Sequence, residues 1–270
     1  MTPDPDAPGL AAALLEAYDS GRPLAPLSGR IHGFDAPTAC RVAHHITATR
    51  IARGERMVGR KIGFTNRSIW PIYGVTGPIW GPVWNTTLHE LSDDPVTLPN
   101  LPEPRLEPEI ILGLKSAPSA GMSLEDLAHC IDWVSHGFEI VFSPFPGWTF
   151  DVTDCQAGFG LHGALFTAPR LPLTPERAAA LPNLSITLDG PGGKRLTGRG
   201  ADVLDGPLHA LAYLLDTLAA DPQATPLSAG EIITTGTLTD AVPLSPGDTW
   251  ETRLDGIDLP GARITFRCRP

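Results

Sequence analysis

Two glutamates stand two residues apart at the start of an apolar run, in the segment Arg105-Leu106-Glu107-Pro108-Glu109-Ile110-Ile111-Leu112. Side chains at positions i and i+2 of an extended strand project from the same face, so Glu107 and Glu109 are expected to point the same way. Two like charges held together repel each other unless a cation lies between them, and hard divalent ions bind carboxylate oxygens. A metal site is one interpretation, although a Glu-x-Glu pair considered alone is more often solvated. The alternative is an exposed strand edge with two solvated glutamates.

A third carboxylate and a lysine have surroundings that suit the same kind of site. Glu139 stands alone among bulky apolar residues in Phe138-Glu139-Ile140-Val141-Phe142, where an unpaired charge is costly, so it is a candidate third metal ligand. Lys61 shares one face of a predicted strand over 57–65 with two glycines, which often mark close approach by a ligand or another backbone. Lys61 is therefore expected to point into a cavity. The alternative is a solvent-facing lysine on an edge strand.

Apolar periodicity and capping residues predict the elements that must position these side chains. Asp35 followed by Pro37 is typical of a helix start. Helices are predicted over 8–20, 35–54, 123–134 and 206–218, and strands over 57–65, 105–114, 138–142, 184–188, 231–236 and 262–266. The tryptophan-rich segment 66–89 also contains many prolines and glycines, which predicts an ordered loop or lid. The segment 148–163 is predicted to be a glycine-rich turn region, with Asp154 and His162 as polar candidates.

Composition excludes several classes of function. The 270-residue chain has a formal net charge of -10 and contains no run of Lys or Arg, which argues against nucleic acid as a partner. No apolar run approaches the roughly 20 residues of a membrane span. The acidic, proline-broken N-terminus does not resemble a signal peptide, so we expect a cytoplasmic protein without a membrane partner. The four cysteines lack a CxxC pair, which argues against a zinc knuckle or a disulfide framework.

The order and spacing of several segments resemble the fumarylacetoacetate hydrolase superfamily, in its branch of 2-keto-4-pentenoate hydratases and 4-oxalocrotonate (2-oxo-3-hexenedioate) decarboxylases. The resemblance covers nearly the whole chain. It is carried by Val58-Gly59-Arg60-Lys61-Ile62-Gly63-Phe64-Thr65, Glu107-Pro108-Glu109, Glu139-Ile140, Gly206-Pro207-Leu208, Gly230-Glu231-Ile232-Ile233-Thr234-Thr235-Gly236 and Pro246-Gly247-Asp248. It implies an α+β fold, a fumarylacetoacetate-hydrolase-like mixed β-sandwich or roll with packed helices. We expect a smaller N-terminal α/β part over 1–95 and a mostly β catalytic core over 96–270.

The resemblance also implies a set of site residues. It makes the three glutamates ligands of Mg2+ or Mn2+ and Lys61 a catalytic residue. Asp154 and His162 are further catalytic candidates, which could position water. Substrate contacts are expected from the residues Thr65, Trp80, Thr235 and Gly236. A homo-oligomer is expected as well.

The implied activity is that of a metal-dependent lyase acting on a 2-oxo or 2-hydroxydienoic acid. The leading hypothesis is hydration of a 2-hydroxy-2,4-dienoate or its 2-oxo-enoate tautomer, with 4-oxalocrotonate-type decarboxylation as the alternative. Hydrolysis of a C–C bond in acylpyruvates and a non-catalytic role stay open. The chain departs from the family pattern by Ile79 in place of a lid aspartate, Cys155 in place of an asparagine, and no arginine near Pro144.

Overall fold

The computed structural model describes residues 5–221 and 223–268, so most of the acidic N-terminus lies outside the described part. Its helices are α1 (Ala7–Ser20), α2 (Ala36–Ala52), α3 (Trp70–Tyr73), α4 (Leu124–His129), α5 (Val152–Ala157), α6 (Pro175–Ala180) and α7 (Pro207–Ala220). Its strands are β1 (Met57–Gly63), β2 (Ile79–Trp84), β3 (Leu88–Glu90), β4 (Val96–Thr97), β5 (Arg105–Leu114), β6 (Ile131–Val141), β7 (His162–Thr167), β8 (Leu171–Pro172), β9 (Ser185–Asp189), β10 (Arg195–Arg199), β11 (Ile232–Thr237), β12 (Val242–Pro243), β13 (Thr249–Asp255) and β14 (Arg263–Arg267).

The first two helices begin where the sequence predicts. Asp35 caps α2 by accepting a hydrogen bond from the Thr38 amide at 2.9 Å, and Pro37 lies in the first turn. Helix α1 ends at Gly21, whose left-handed φ of 69° closes the last turn. The apolar faces of α1 and α2 pack with aromatic residues that follow β6 and α5, including Phe142 and Phe159. This cluster forms one wall of the fold.

The strands form two sheets within the described residues. The larger has the order β2-β1-β11-β5-β6-β7-β3, with β12 and β8 added on β5 and β6. The smaller has the order β10-β9-β13-β14-β4. Leu106 on β5 and Phe138 on β6 face the smaller sheet and share a buried cluster with Trp250 and Ile264. The mixed two-layer sheet architecture with packed helices is the one expected.

The faces of β5 and β6 place the polar side chains away from this intersheet core. Leu106 packs between the sheets and Ile110 packs in the core beneath α7, whereas Glu107 and Glu109 project from the opposite face of β5. Glu139 alternates in the same way with the two apolar residues beside it on β6. One face of each strand therefore holds the core together while the other carries the carboxylates.

Several elements differ from the sequence-based prediction. Helix α3 lies within the predicted loop segment, and strand β3 begins in it. Ile79–Trp84, in the predicted loop, is strand β2; its Pro82 is tolerated because β2 lies at the sheet edge. The helix predicted over 123–134 ends at His129, since β6 pairs with β5 from Ile131 onward. Gly137 therefore lies within β6 and does not precede the strand, and a side chain there would overlap the Phe166 carbonyl. The predicted turn region contains the short helix α5.

The expected division at residue 95 runs through the large sheet. Strands β1, β2 and β3 precede it, while their partners β11 and β7 follow it. No helix in the described ranges is long and apolar enough to cross a membrane.

Candidate active site

Three carboxylates meet on the face of the large sheet that points away from the smaller sheet. Glu107 on β5 lies directly opposite Glu139 on the antiparallel strand β6, and Glu109 follows two residues along β5. Each side chain offers an oxygen within 4.8 Å of the others. Like charges directly opposite each other destabilise a sheet. The strand register therefore creates a concentrated negative charge that the fold must neutralise.

Burial makes this charge more costly. It raises the pKa of Glu107 to about 8 and raises the pKa values of Glu109 and Glu139 above the usual range, with repulsion between the carboxylates adding to the effect on Glu109. Glu109 Oε1 and Glu139 Oε2 are buried and accept no hydrogen bond. Three carboxylates with oxygens this close together, two of which keep an oxygen without a hydrogen bond, have the donor chemistry that a hard divalent cation requires. The residues fit such an ion.

Lys61 supplies the nearest positive charge. Its Nζ lies 3.4 Å from Glu139 Oε2, an ion pair without the alignment of a hydrogen bond. Burial alone lowers the pKa of Lys61, but the surrounding carboxylates outweigh burial and place the pKa above its usual value. The carboxylates therefore favour the protonated form of this buried lysine.

A bulge in β11 holds Glu109 in place. The register of β11 on β5 shifts between Thr234 and Thr237, and the Gly236 amide there donates to Glu109 Oε2 at 2.8 Å. The Thr234 hydroxyl donates to the same oxygen. Thr235 donates instead to the Ile110 carbonyl at 2.9 Å. Thr235 and Gly236 were predicted as substrate contacts. In the structure the Thr235 hydroxyl bonds to the backbone of β5, and the Gly236 amide bonds to Glu109.

His162 and Asp154, the other catalytic candidates, are both bonded within the protein. His162 Nδ1 lies 2.7 Å from Glu139 Oε1 and Nε2 lies 2.8 Å from the Thr87 hydroxyl, so the ring orients the carboxylate. Asp154 accepts hydrogen bonds from the amide and hydroxyl of Ser28 and from two further amides. These contacts anchor the loop before α2. Neither geometry fits a residue that positions water.

A cavity of about 250 Å³ opens beside Lys61 and Glu107. Thr65, a predicted substrate contact, lines it, whereas the Trp80 side chain stands near Arg60 and lines a neighbouring cavity. Ile79, at the position of the absent aspartate, lines the cavity with an apolar wall that also contains Phe64, Ile69, Val141, Trp148, Phe150 and Leu161.

Sequence reasoning missed several polar residues that line this cavity. They are Arg105, Thr237, Thr239 and Asp240. The period-two spacing that pairs Glu107 with Glu109 also places Arg105 on the same face of β5, so the pattern could have predicted its position. Nothing in the local sequence around Asp240 indicated that it lies here.

Three residues that line the cavity adopt a sparsely populated backbone conformation. Phe64, Trp148 and Leu161 line the cavity with φ values of 56°, 54° and 65°. Non-glycine residues with positive φ cost of order 1–3 kcal/mol each and cluster at functional sites. The surrounding fold therefore stabilises an unfavourable backbone conformation at these three residues, which places their side chains in the wall of the cavity.

Known proteins share this arrangement of segments. No protein-family model matches the chain. A 2-keto-4-pentenoate hydratase of Burkholderia vietnamiensis (strain G4 / LMG 22486) is 32% identical over 267 residues, covering 98% of this chain and 99% of the relative. The chain belongs to the 2-keto-4-pentenoate hydratase branch of the fumarylacetoacetate hydrolase superfamily. A 2-hydroxyhexa-2,4-dienoate hydratase of Comamonas testosteroni, another relative, is 31% identical over 93% of this chain and 95% of its own length.

Solved structures agree with membership of this superfamily. The 4-oxalocrotonate decarboxylase of Pseudomonas putida G7, in complex with magnesium and adipate, superposes with a TM-score of 0.87. It is 26% identical, and the match covers 96% of this chain and 97% of the decarboxylase. A fumarylpyruvate hydrolase of Pseudomonas aeruginosa with Mn2+ and pyruvate shares the fold at 12% identity, with a TM-score of 0.56 over 79% of this chain and 90% of its own. The expected superfamily and fold are thereby confirmed.

Proposed function

We propose that the protein is a divalent-metal-dependent lyase that hydrates a 2-hydroxy-2,4-dienoate or its 2-oxo-enoate tautomer. The observation that carries the proposal is the group of three carboxylates, two of them with orphaned oxygens, beside a buried lysine and an apolar cavity. The hydratase relatives that align over nearly the whole chain support the choice of reaction.

In this proposal Glu107, Glu109 and Glu139 hold Mg2+ or Mn2+. The orphaned oxygens of Glu109 and Glu139 and the cross-strand position of Glu107 make them the donor set. A bound ion supplies Lewis-acid stabilisation of the negative charge that develops on the keto oxygen of a 2-oxo acid. His162 fixes the orientation of Glu139, and Gly236 fixes that of Glu109.

The chain's own groups account for binding and proton movement. Lys61 holds a proton on Nζ, so it can attract the acidic end of the substrate and donate that proton during the reaction. The apolar wall that includes Ile79 and Phe150 accommodates the unsaturated carbon chain and limits the entry of bulk water. Hydration adds a hydrogen to one alkene carbon and a hydroxyl to the other, with no loss of carbon.

Decarboxylation is the second candidate, and one feature of the cavity favours it. Where the pattern of many hydratases has an aspartate, Ile79 contributes an apolar, 5% exposed side chain. Asp154 and His162 direct their polar atoms into the protein, so neither replaces that carboxylate. In decarboxylation a C–C bond breaks, CO2 leaves and a proton takes its place, without addition of water.

A single assay separates these reactions. The purified protein is incubated with Mg2+ and either 2-hydroxypenta-2,4-dienoate or 4-oxalocrotonate, while absorbance, CO2 and the organic products are followed. We expect loss of the dienoate absorbance, a hydrated product, no CO2, and no turnover after EDTA treatment. Release of CO2 without a hydrated product would assign the protein as a decarboxylase.

Matched variants test the metal centre in the same assay. Glu109→Gln should abolish Mg2+-dependent turnover, whereas Glu251→Gln, an exposed position on β13, should not. Turnover that persists in the first variant and in EDTA would contradict the proposed donor set.

We further propose a homo-oligomer located in the cytoplasm. Light scattering coupled to size-exclusion chromatography tests the assembly.

A further inference from the structure

Arg105 stands at the outer end of the carboxylate row. It shares a face of β5 with Glu107 and Glu109, and burial increases along the row, from two partly exposed side chains to the fully buried Glu109. Two residues of extended strand separate Arg105 from Glu107 by roughly 7 Å. Both side chains line the same cavity. Arg105 therefore marks the mouth of the cavity whose inner end is the acidic cluster.

The Arg105 side chain is held in position by an aromatic platform. Its guanidinium carbon lies 4.0 Å from the centroid of the Trp148 ring. The Trp148 indole donates to the Glu103 carbonyl at 3.0 Å, and the Gly147 amide donates to the Glu103 carboxylate at 2.8 Å. Trp148 and Glu103 both adopt positive φ, so the fold stabilises an unfavourable backbone to present this ring.

The donors of Arg105 are uncommitted. Among the described residues this guanidinium stacks on Trp148 and makes no hydrogen bond or ion pair, although its charge partly offsets the burial that raises the pKa of the nearby Glu107 carboxyl. Asp240 also lines the cavity but is exposed and does not pair with Arg105. By contrast, Arg170 stacks on Trp133 at 4.7 Å and also pairs with Glu90 at 3.2 Å. A stacked arginine without an acceptor is prepared for a carboxylate.

We propose that Arg105 binds a second carboxylate at the far end of the substrate, so that the preferred substrates are 2-oxo or 2-hydroxydienoic acids with a distal carboxylate. The assignment rests on the proposed function for the inner end, where the first carboxylate belongs. Lys61 lies among the three carboxylates at the inner end, where the first carboxylate of the substrate belongs, so the distal group needs a different partner. The apolar side chains that line the cavity together with Lys61 and Arg105 suit the carbon chain that joins two charged ends.

Binding of two non-reactive acids tests this assignment without relying on turnover. The probes are 2-oxoadipate and 2-oxohexanoate, which have the same 2-oxo acid end but differ in the distal carboxylate. Both are titrated calorimetrically into the Mg2+-loaded protein. We expect the wild type to bind the dicarboxylate about 10- to 100-fold more tightly, the range for charge-assisted hydrogen bonds to a guanidinium. In Arg105→Met the preference should fall to about twofold or less.

Two further variants keep the test specific. Arg105→Lys should restore part of the preference, because it keeps the charge but lacks the planar fork. Arg170→Met removes a tryptophan-stacked arginine outside the cavity and should keep the full preference. Equal binding of both probes by the wild type, or a full preference in Arg105→Met, would overturn the role of Arg105 alone. Failure of the wild type to bind either probe would also overturn the proposed function.

Discussion

Glu109→Gln is expected to stabilise the metal-free protein while removing its response to metal. The substitution is nearly isosteric and keeps a carbonyl oxygen for the Gly236 amide, but it removes one of three negative charges. Its new amide can donate a hydrogen bond to a neighbouring carboxylate. Relief of repulsion should therefore exceed any loss of packing in EDTA.

The size of this effect follows from the geometry. With carboxylate oxygens within 4.8 Å of one another, two unit charges repel by roughly 3 kcal/mol at an effective dielectric constant of about 20. Protonation of one carboxylate would also remove the repulsion. Keeping a carboxyl group with an ordinary pKa of 4.5 neutral at pH 7 costs about 3 kcal/mol. Attraction to Lys61 reduces either figure. We expect a gain of about 1–3 kcal/mol, or about 2–5 °C in Tm.

Thermal unfolding in EDTA and in Mg2+ measures both parts of the prediction. The wild type should gain about 2.7 kcal/mol at a Mg2+ concentration 100 times its Kd, and the variant nothing. The control Glu251→Gln makes the same chemical change at an exposed position of the smaller sheet and should behave as the wild type. A Glu109→Gln protein that is less stable than the wild type in EDTA and retains the rise with Mg2+ would refute the reasoning.

Three further predictions concern stability in EDTA, measured by denaturant unfolding. Gly236→Ala should lower the free energy of unfolding by about 2–4 kcal/mol, because φ is 105° and the new methyl group would overlap a threonine hydroxyl. The control Gly247→Ala has a φ of 93° and open space around the new methyl group, so it should cost only the backbone strain of about 1–3 kcal/mol. Glu231→Ala should cost about 3 kcal/mol, since it leaves the buried Arg60 guanidinium without the carboxylate 2.6 Å away, and Glu231→Gln should cost less. Burial lowers the pKa of His136 from 6.5 to about 4, so its contribution to the stability of the protein is fully present above pH 6.5 and up to about 3 kcal/mol is lost as the pH falls to 4. His136→Gln should flatten this part of the stability-versus-pH profile. An unchanged slope in the variant would contradict the prediction.

The sequence predicted the parts of the site that depend on local periodicity. Alternation along one strand is enough to place Glu107 and Glu109 on a common face, and the glycines around Lys61 indicated a cavity. Glu139 was suggested only by the cost of an isolated charge among apolar residues. Its position opposite Glu107 depends on the register of β6 on β5, which strand-to-strand pairing determines and local sequence does not.

The failures have the same origin in long-range contacts. The helix predicted across Ile131 had the right apolar spacing, but pairing with a ten-residue neighbouring strand prevailed over that pattern. Asp154 resembled a catalytic carboxylate until the structure placed Ser28 against it, from a loop more than a hundred residues earlier in the chain. The pKa of Lys61 could not be assigned because burial and three carboxylates act in opposite directions.

The most direct test of the account is the fate of oxygen-18-labelled water during turnover of 2-hydroxypenta-2,4-dienoate with Mg2+. The account predicts one labelled oxygen in the new hydroxyl group, located by carbon NMR, no release of CO2, and loss of the reaction in Glu109→Gln. Formation of CO2 with no label in a new hydroxyl group, or label incorporation that continues in EDTA, would contradict it.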